Sequence, residues 1–210
     1  MLIAAQFSAA AGTTIHSALE TAFAPDGRTL AVSDATMQSV ALIDPETQKI
    51  LRNVRLAGPA GSLAWSGDGK QLFAAESGAG SIAVINPATG KVTRSIACGR
   101  YPRGLAVANR RKLLLAGDWG LNHLSIIDLT TGTTSARIPV GCQPTSVAIT
   151  PDESLAVVSN LLPATAATDP KHATEVSLID LQSLQARPAI RLPLGENIHP
   201  DMDVSDRRTS

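Results

Sequence analysis

Aromatic side chains are scarce in this 210-residue sequence, which has three Phe, two Trp and one Tyr. A core with so few rings must be assembled from Ala, Val, Ile and Leu, residues that suit flat sheets pressed face to face. Net charge is missing as well, since Lys plus Arg and Asp plus Glu each number 18. No field therefore concentrates an anionic polymer at the surface, which argues against a nucleic-acid partner. No run approaches the roughly 18 consecutive apolar residues of a membrane-spanning helix. The sequence has no C-x-x-C-H word to attach haem covalently, no G-x-S-x-G elbow and no phosphate-binding glycine loop. His16, His123, His172 and His199 share no metal-ligand spacing, and none has a Glu or second His beside it as a general base would require. The expectation is of no catalytic residue, no metal and no cofactor. Because no Lys or Arg precedes Arg28, the apolar and Ala-rich stretch from Met1 to Gly12 lacks the basic start of a signal peptide. The expected reading is a chain that begins inside a longer natural polypeptide.

What is present is a word that returns every 42 residues. Pro25-Asp26-Gly27, Gly67-Asp68-Gly69, Asn109-Arg110-Arg111 and Pro151-Asp152-Glu153 begin at 25, 67, 109 and 151. A second word keeps step: Leu42-Ile43-Asp44, Val84-Ile85-Asn86 and Ile126-Ile127-Asp128, with Leu178-Ile179-Asp180 following after 52. A period near 40 residues with several short strands is the mark of a propeller blade, a unit that must stack on neighbours to bury its apolar faces. The fold class expected is all-β, a β-propeller of four-stranded antiparallel blades, with four blades and a fragment present. An N-terminal segment fills 1–18, blades fill 19–60, 61–102, 103–144 and 145–198, and 199–210 begins a truncated fifth.

Each unit reads as strands A to D. In the second, Ser62 to Ser66 is strand A, a Gly67-Asp68-Gly69 turn leads to strand B at Gln71 to Ala75, strand C spans Ser81 to Asn86, and Pro87-Ala88-Thr89-Gly90 turns into strand D at Lys91 to Ala97. Asp and Gly supply the local hydrogen bond and positive φ that such turns need. The mixed face of Lys91 to Ala97 suits a partly solvated outer strand. Thr29 to Ser33, Leu113 to Gly117 and Leu155 to Ser159 are the other B strands, and Ser39 to Asp44, His123 to Asp128 and Glu175 to Asp180 the other C strands. Helix is expected to be nearly absent outside Met1 to Ala11 or the inserted loop. The fourth unit is ten residues longer, the excess falling between Asn160 and Glu175; such an insertion marks a loop on one face, often the binding face. Met202 to Ser205 resembles a further strand A. Cys98 and Cys142 fall in corresponding loops of adjacent units, which usually lie beyond the roughly 7 Å Cα separation a disulfide allows, so free thiols are expected.

The residues ending strand B read Ala31-Val32-Ser33-Asp34, Phe73-Ala74-Ala75-Glu76, Leu115-Ala116-Gly117-Asp118 and Val157-Val158-Ser159-Asn160. With the Leu124-Ser125-Ile126-Ile127-Asp128 strand and the Gly-x-x-Pro turns at Gly99 to Pro102 and Gly141 to Pro144, this pattern over residues 19 to 195 resembles the YVTN β-propeller repeats. Asn160-Leu161-Leu162-Pro163 and its loop further resemble the bacterial branch associated with di-haem cytochrome c peroxidase-like proteins. The resemblance implies an extracytoplasmic, periplasmic or secreted protein, a ring of seven blades, and mostly no assigned catalysis. Seven blades would need more residues than are present, and Ser205-Asp206-Arg207-Arg208 replaces the expected turn, so a partial gene product is expected, with open end blades that could associate with one another.

Propeller topology brings the B-to-C and D-to-A loops to one end of the blades, where Asp34, Glu76, Asp118 and Asn160 recur at intervals of 42. They form either a polar ring that recognises a ligand or carboxylates and amides that bond the backbone of their own loops. A calcium site is argued against by distance, because strand B lies about 4.8 Å outside the innermost strand while calcium needs oxygens converging to about 2.3 to 2.6 Å. Tyr101, Arg103 and Trp119 fall near the same end and are residue types enriched at binding hot spots, although Trp119 could equally cover the neighbouring blade. The expected function is a non-catalytic docking module for a protein partner, such as a c-type haem redox protein or a fused domain, or for a small ligand at the loop face. The rival readings are a propeller enzyme, either a lactonase-like hydrolase or a quinoprotein-type dehydrogenase, and a surface-layer or adhesion repeat.

Overall fold

A computed structural model describes residues 16–164 and 172–193 of the chain. Four of the readings above lie outside the described residues: the N-terminal helix, the centre of the insertion, the strand at Met202 to Ser205 and the turn at Ser205 to Arg208. The described residues form sixteen strands and no helix. The first sheet contains β1 (Ala18–Phe23), β2 (Leu30–Asp34), β3 (Ser39–Asp44) and β4 (Lys49–Arg55). The second contains β5 (Ala60–Trp65), β6 (Leu72–Glu76), β7 (Ser81–Asn86) and β8 (Lys91–Ala97). The third contains β9 (Pro102–Ala108), β10 (Leu113–Asp118), β11 (His123–Asp128) and β12 (Thr133–Pro139), and the fourth β13 (Cys142–Ile149), β14 (Leu155–Leu162), β15 (His172–Asp180) and β16 (Gln185–Pro193). Strands are hydrogen-bonded in chain order within each sheet, and every pairing is antiparallel. The first strands β1, β5, β9 and β13 lie beside one another in succession, which is the radial arrangement of propeller blades around an axis.

The recurring words are turn chemistry. Asp44, Asn86, Asp128 and Asp180 end their third strands, and each places Oδ1 on the backbone N–H groups two and three residues on, at 2.6 to 3.3 Å. The side chain thus closes the turn that the backbone alone would leave open. In the A-to-B turns Asp26, Asp68 and Asp152 accept from the N–H two residues ahead. The third copy departs: Lys112 rather than Arg111 takes positive φ, and its N–H bonds Asn109 O. Asn109 Oδ1 accepts instead from Gly67 N at 2.5 Å, tying the third blade to the second.

Three apolar layers between successive sheets make the core. Leu42 and Val54 meet Leu72 and Ile85; Phe73 and Ile82 meet Leu114 and Ile127; Leu115 and Ile126 meet Val158 and Ile179. Small residues let the innermost strands approach. A Cβ on Gly104, at φ +60°, would lie 2.8 Å from Ser146 Cα. The third strands begin and end as the sequence predicts in the first three blades, but β5 runs Ala60–Trp65 rather than Ser62 to Ser66. Ser66 belongs to the turn, where its hydroxyl donates to Asp68 Oδ1 and its N–H to Gln71 O. A register irregularity between Ala60 and Leu63 lets the strand start earlier.

Candidate functional site at the loop end of blade 3

Asp34, Glu76, Asp118 and Asn160 fall at or near the ends of β2, β6, β10 and β14, at the end of the blades that carries the B-to-C and D-to-A loops. Glu76 and Asp118 are buried and Asp34 is half-buried, and all three accept backbone hydrogen bonds. Glu76 accepts from Ala57 N at 2.8 Å and from the Ser81 hydroxyl at 2.7 Å. Asp118 accepts from Arg100 N, Tyr101 N and Gly120 N at 2.9, 3.3 and 3.0 Å. Asp34 accepts from Ser17 N and Met37 N, and lies 2.6 Å from His16 Nδ1. Burial alone would raise the Asp34 pKa, but the Met37 N–H, His16 and the Ser17 N–H together hold it below the ordinary carboxylate value. Asn160, buried like them, donates to Glu175 O and Ser177 Oγ. Each of the three carboxylates engages the loop that enters its blade; Asp34 and Asp118 also bind backbone of the loop that follows strand B.

The approach of loop and clamp explains the Gly-x-x-Pro word. A Cβ on Gly99, at φ +142°, would lie 1.7 Å from Asp118 Oδ2, so only glycine lets the carboxylate reach the loop. Cys98, beside it, is free and buried, and burial pushes its thiol up to about 11. Cys142 is free and half-buried.

Tyr101, Arg103 and Trp119 stand together above the Asp118 clamp. The rings of Tyr101 and Trp119 meet edge to face, 6.4 Å apart at 90°, and the Arg103 guanidinium lies 5.4 Å from the Trp119 centroid. Both contacts have the geometry in which ring quadrupoles attract. Tyr101 and Arg103 are exposed and Trp119 is half-buried. Arg100, also exposed, extends the group: a Cβ on Gly120 would touch both the Tyr101 ring and the Arg100 stem. Sequence reasoning named three of these residues and missed Arg100; the signal available was its place in the same entry loop as Tyr101.

The fold does not require this cluster. Positions in step with Trp119 hold Ala35, Ser77 and Leu161, those in step with Tyr101 hold Ser17, Pro59 and Gln143, and those in step with Arg103 hold Leu19, Gly61 and Thr145, so no other copy has an aromatic or Arg side chain there. A groove of about 640 Å³ lies at the opposite end of the blades, between the first two, bordered by Pro25, Leu42, Arg52 and Trp65. The A-to-B turn residues Pro25, Asp26, Gly67, Asp68 and Gly69 form part of its rim.

No family model matches the sequence, and no curated protein matches it. The fold is similar to that of 1356 solved chains, and an architecture so widely shared names no activity by itself. One of them is hydrazine synthase of Kuenenia stuttgartiensis, with a TM-score of 0.78 and 21% sequence identity over 92% of this chain and 54% of that one. The chain spans about half the length of that structure, and the likeness establishes a β-propeller fold built of four-stranded antiparallel blades.

Proposed function

We propose that this propeller is a non-catalytic docking module of the YVTN type, which binds a protein partner through the loop end of its third blade. The observation that carries the reading is the departure of one copy from its own repeat. The other three blades have no aromatic or Arg side chain at the positions where blade 3 holds Tyr101, Arg103 and Trp119. Exposed aromatic and Arg side chains cost solvation and ordering without helping the blade, and they are the residues that carry most binding energy at interfaces. Two hydrogen bonds to Asp118 fix the entry loop and a third fixes the loop after strand B, so the cluster is held before any partner arrives. Arg100 and Arg103 make the exposed surface cationic, which favours an acidic partner segment.

A c-type haem redox protein as that partner, and an extracytoplasmic location, rest on the resemblance of the repeat. Isothermal titration of the chain with a c-type haem protein encoded beside it tests the reading. The double variant Trp119→Ala, Arg103→Ala should bind at least about tenfold more weakly. Lys70→Ala, an exposed change in the turn at the opposite end, should bind like wild type. Equal binding by wild type and the double variant would overturn the assignment of the face.

A further inference from the structure

The three junctions between blades share their core packing but differ at the end that carries the A-to-B and C-to-D turns. At the second junction Asn109 Oδ1 takes Gly67 N, and at the third the Arg110 and Arg111 N–H groups reach the Glu153 carboxylate. At the first, no hydrogen bond among the described residues joins the Pro25–Gly27 turn to the Gly67–Gly69 turn. Pro25 merely lies against Gly69, where an added Cβ would be 3.7 Å from the proline Cδ. The 640 Å³ groove is what this open junction leaves. Its lining is particular to the junction as well. Positions in step with Trp65 hold Phe23, Val107 and Ile149, and those in step with Leu51 hold Thr93 and Ser135. The groove at the second junction, about 480 Å³, is lined by Gln71, Asn109 and Lys112 and has no aromatic ring. Because the strands run from A at the axis to D at the rim, the A-to-B turns mark the inner end of the first groove and the C-to-D turn its outer end. Asp26 and Asp68, both exposed, stand at the inner end. Each commits Oδ1 to its own turn, and Oδ2 makes no hydrogen bond among the described residues; the exposed Lys70 ammonium is 3.9 Å from Asp68 Oδ2. Arg52 stands at the outer end, its stem against Gly90 of the C-to-D turn. One of its guanidinium N–H groups donates to Leu51 O at 2.7 Å, and no described carboxylate pairs with it. Trp65, Leu42 and Leu51 line the space between.

We infer that this groove binds a short free peptide as a zwitterion, its ammonium at Asp26 and Asp68 and its carboxylate at Arg52. The argument is one of charge and length together. Acid at one end, a cation at the other and apolar walls between match a ligand with the reverse order of charges and an apolar middle. From the A-to-B turns to the C-to-D turn is two strand spacings, about 10 Å. Three extended residues span about 10 Å, so a tripeptide places both termini at once. The planar guanidinium of Arg52 suits a terminal carboxylate, which it can take in two parallel hydrogen bonds. Trp65 and Leu51 offer the apolar surface on which the middle residue rests, in a groove of the size that small ligands occupy. Since both termini are recognised, the ligand is a free peptide of that length rather than a loop of a folded protein. The inference does not depend on the docking face of blade 3, which lies at the other end of the blades.

Isothermal titration of the 210-residue chain with the peptide Ala-Leu-Ala tests it. The free tripeptide should bind with a dissociation constant of about 0.1 mM and change Trp65 fluorescence in a Trp119→Phe background. Its C-terminal amide and its N-acetyl derivative should each bind at least about tenfold more weakly, because each loses one charge-assisted contact. Arg52→Gln should bind the free tripeptide at least about tenfold more weakly and yet bind the amide as wild type does. Asp26→Asn should likewise lose affinity for the free tripeptide while binding the N-acetyl form unchanged. Both side chains are exposed, so both variants should melt like wild type. No saturable binding by about 1 mM, an amide or N-acetyl form bound as tightly as the free tripeptide, or wild-type affinity in Arg52→Gln would overturn the inference.

Discussion

Replacing Asp118 by Ala removes the one side chain that binds Arg100 N, Tyr101 N and Gly120 N. The carboxylate is only 1% exposed, so water does not take its place without rearrangement of the loop. A buried donor left unsatisfied costs about 1 to 3 kcal/mol. With three donors freed and Arg100 exposed enough for the loop to find some water, the loss is about 3 kcal/mol in total. For a chain of this size each kcal/mol moves the melting temperature by about 2 to 4 °C, so Asp118→Ala should melt about 6 to 12 °C lower. Asp118→Asn keeps one acceptor oxygen in nearly the same volume and should lose about half as much. Differential scanning calorimetry gives the size of the effect. Trp119 fluorescence in a Trp65→Phe background shows whether blade 3 loosens first, as local instability in a repeat array would require. A melting temperature for Asp118→Ala within about 1 °C of wild type would refute the assignment of Asp118 as the clamp of the entry loop.

Leu115 is fully buried between the third and fourth blades, so Leu115→Ala should cost about 2 to 5 kcal/mol, read from the shift in urea midpoint. Asp152 is lowered to about 2, first by the Thr150 hydroxyl and then by the Ser154 backbone and hydroxyl groups; Asp180 is lowered chiefly by Arg187, with the Ser183 and Gln182 N–H groups adding to it. These folded values lie below the usual 3.8, so the contribution is present above about pH 4 and is lost as pH falls toward 2. The urea midpoint should therefore hold from pH 5 to 7 and decline below pH 4; a midpoint that rises on acidification to pH 3 contradicts this. Cys98, buried and raised to about 11, should resist an aromatic disulfide reagent at pH 8 while Cys142 reacts, giving one equivalent in the native protein and two in denaturant.

The fold was legible because its chemistry is local and repeated. The Asp or Asn that ends each third strand closes a turn within three residues, so its recurrence fixes strand and turn together. Strand starts were less legible at β5, where an irregularity near Gly61 depends on pairing with β6 rather than on residues nearby. The contacts between blades left weaker traces. Arg110 and Arg111 read as a degraded turn word, yet they bind across to the fourth blade: their N–H groups donate to the Glu153 carboxylate, and the Arg111 guanidinium donates to Glu153 O and Leu181 O. Asn122 likewise reaches Gln143 N in the next blade at 2.9 Å. Both partners lie one blade away in the chain, beyond the reach of local pattern. For the candidate site, the residue types of Tyr101, Arg103 and Trp119 were visible in sequence. Their assembly was not, because it depends on the buried Asp118 drawing the entry loop and the following loop together.

Hydrogen–deuterium exchange of the chain with and without the proposed c-type haem protein partner tests the docking face most directly. The account predicts added protection in the segments around Arg100 to Arg103 and Asp118 to Asn122, with the turns at the opposite end unchanged. Protection confined to the groove between the first two blades, around Pro25 to Thr29 and Trp65 to Gly69, would contradict it.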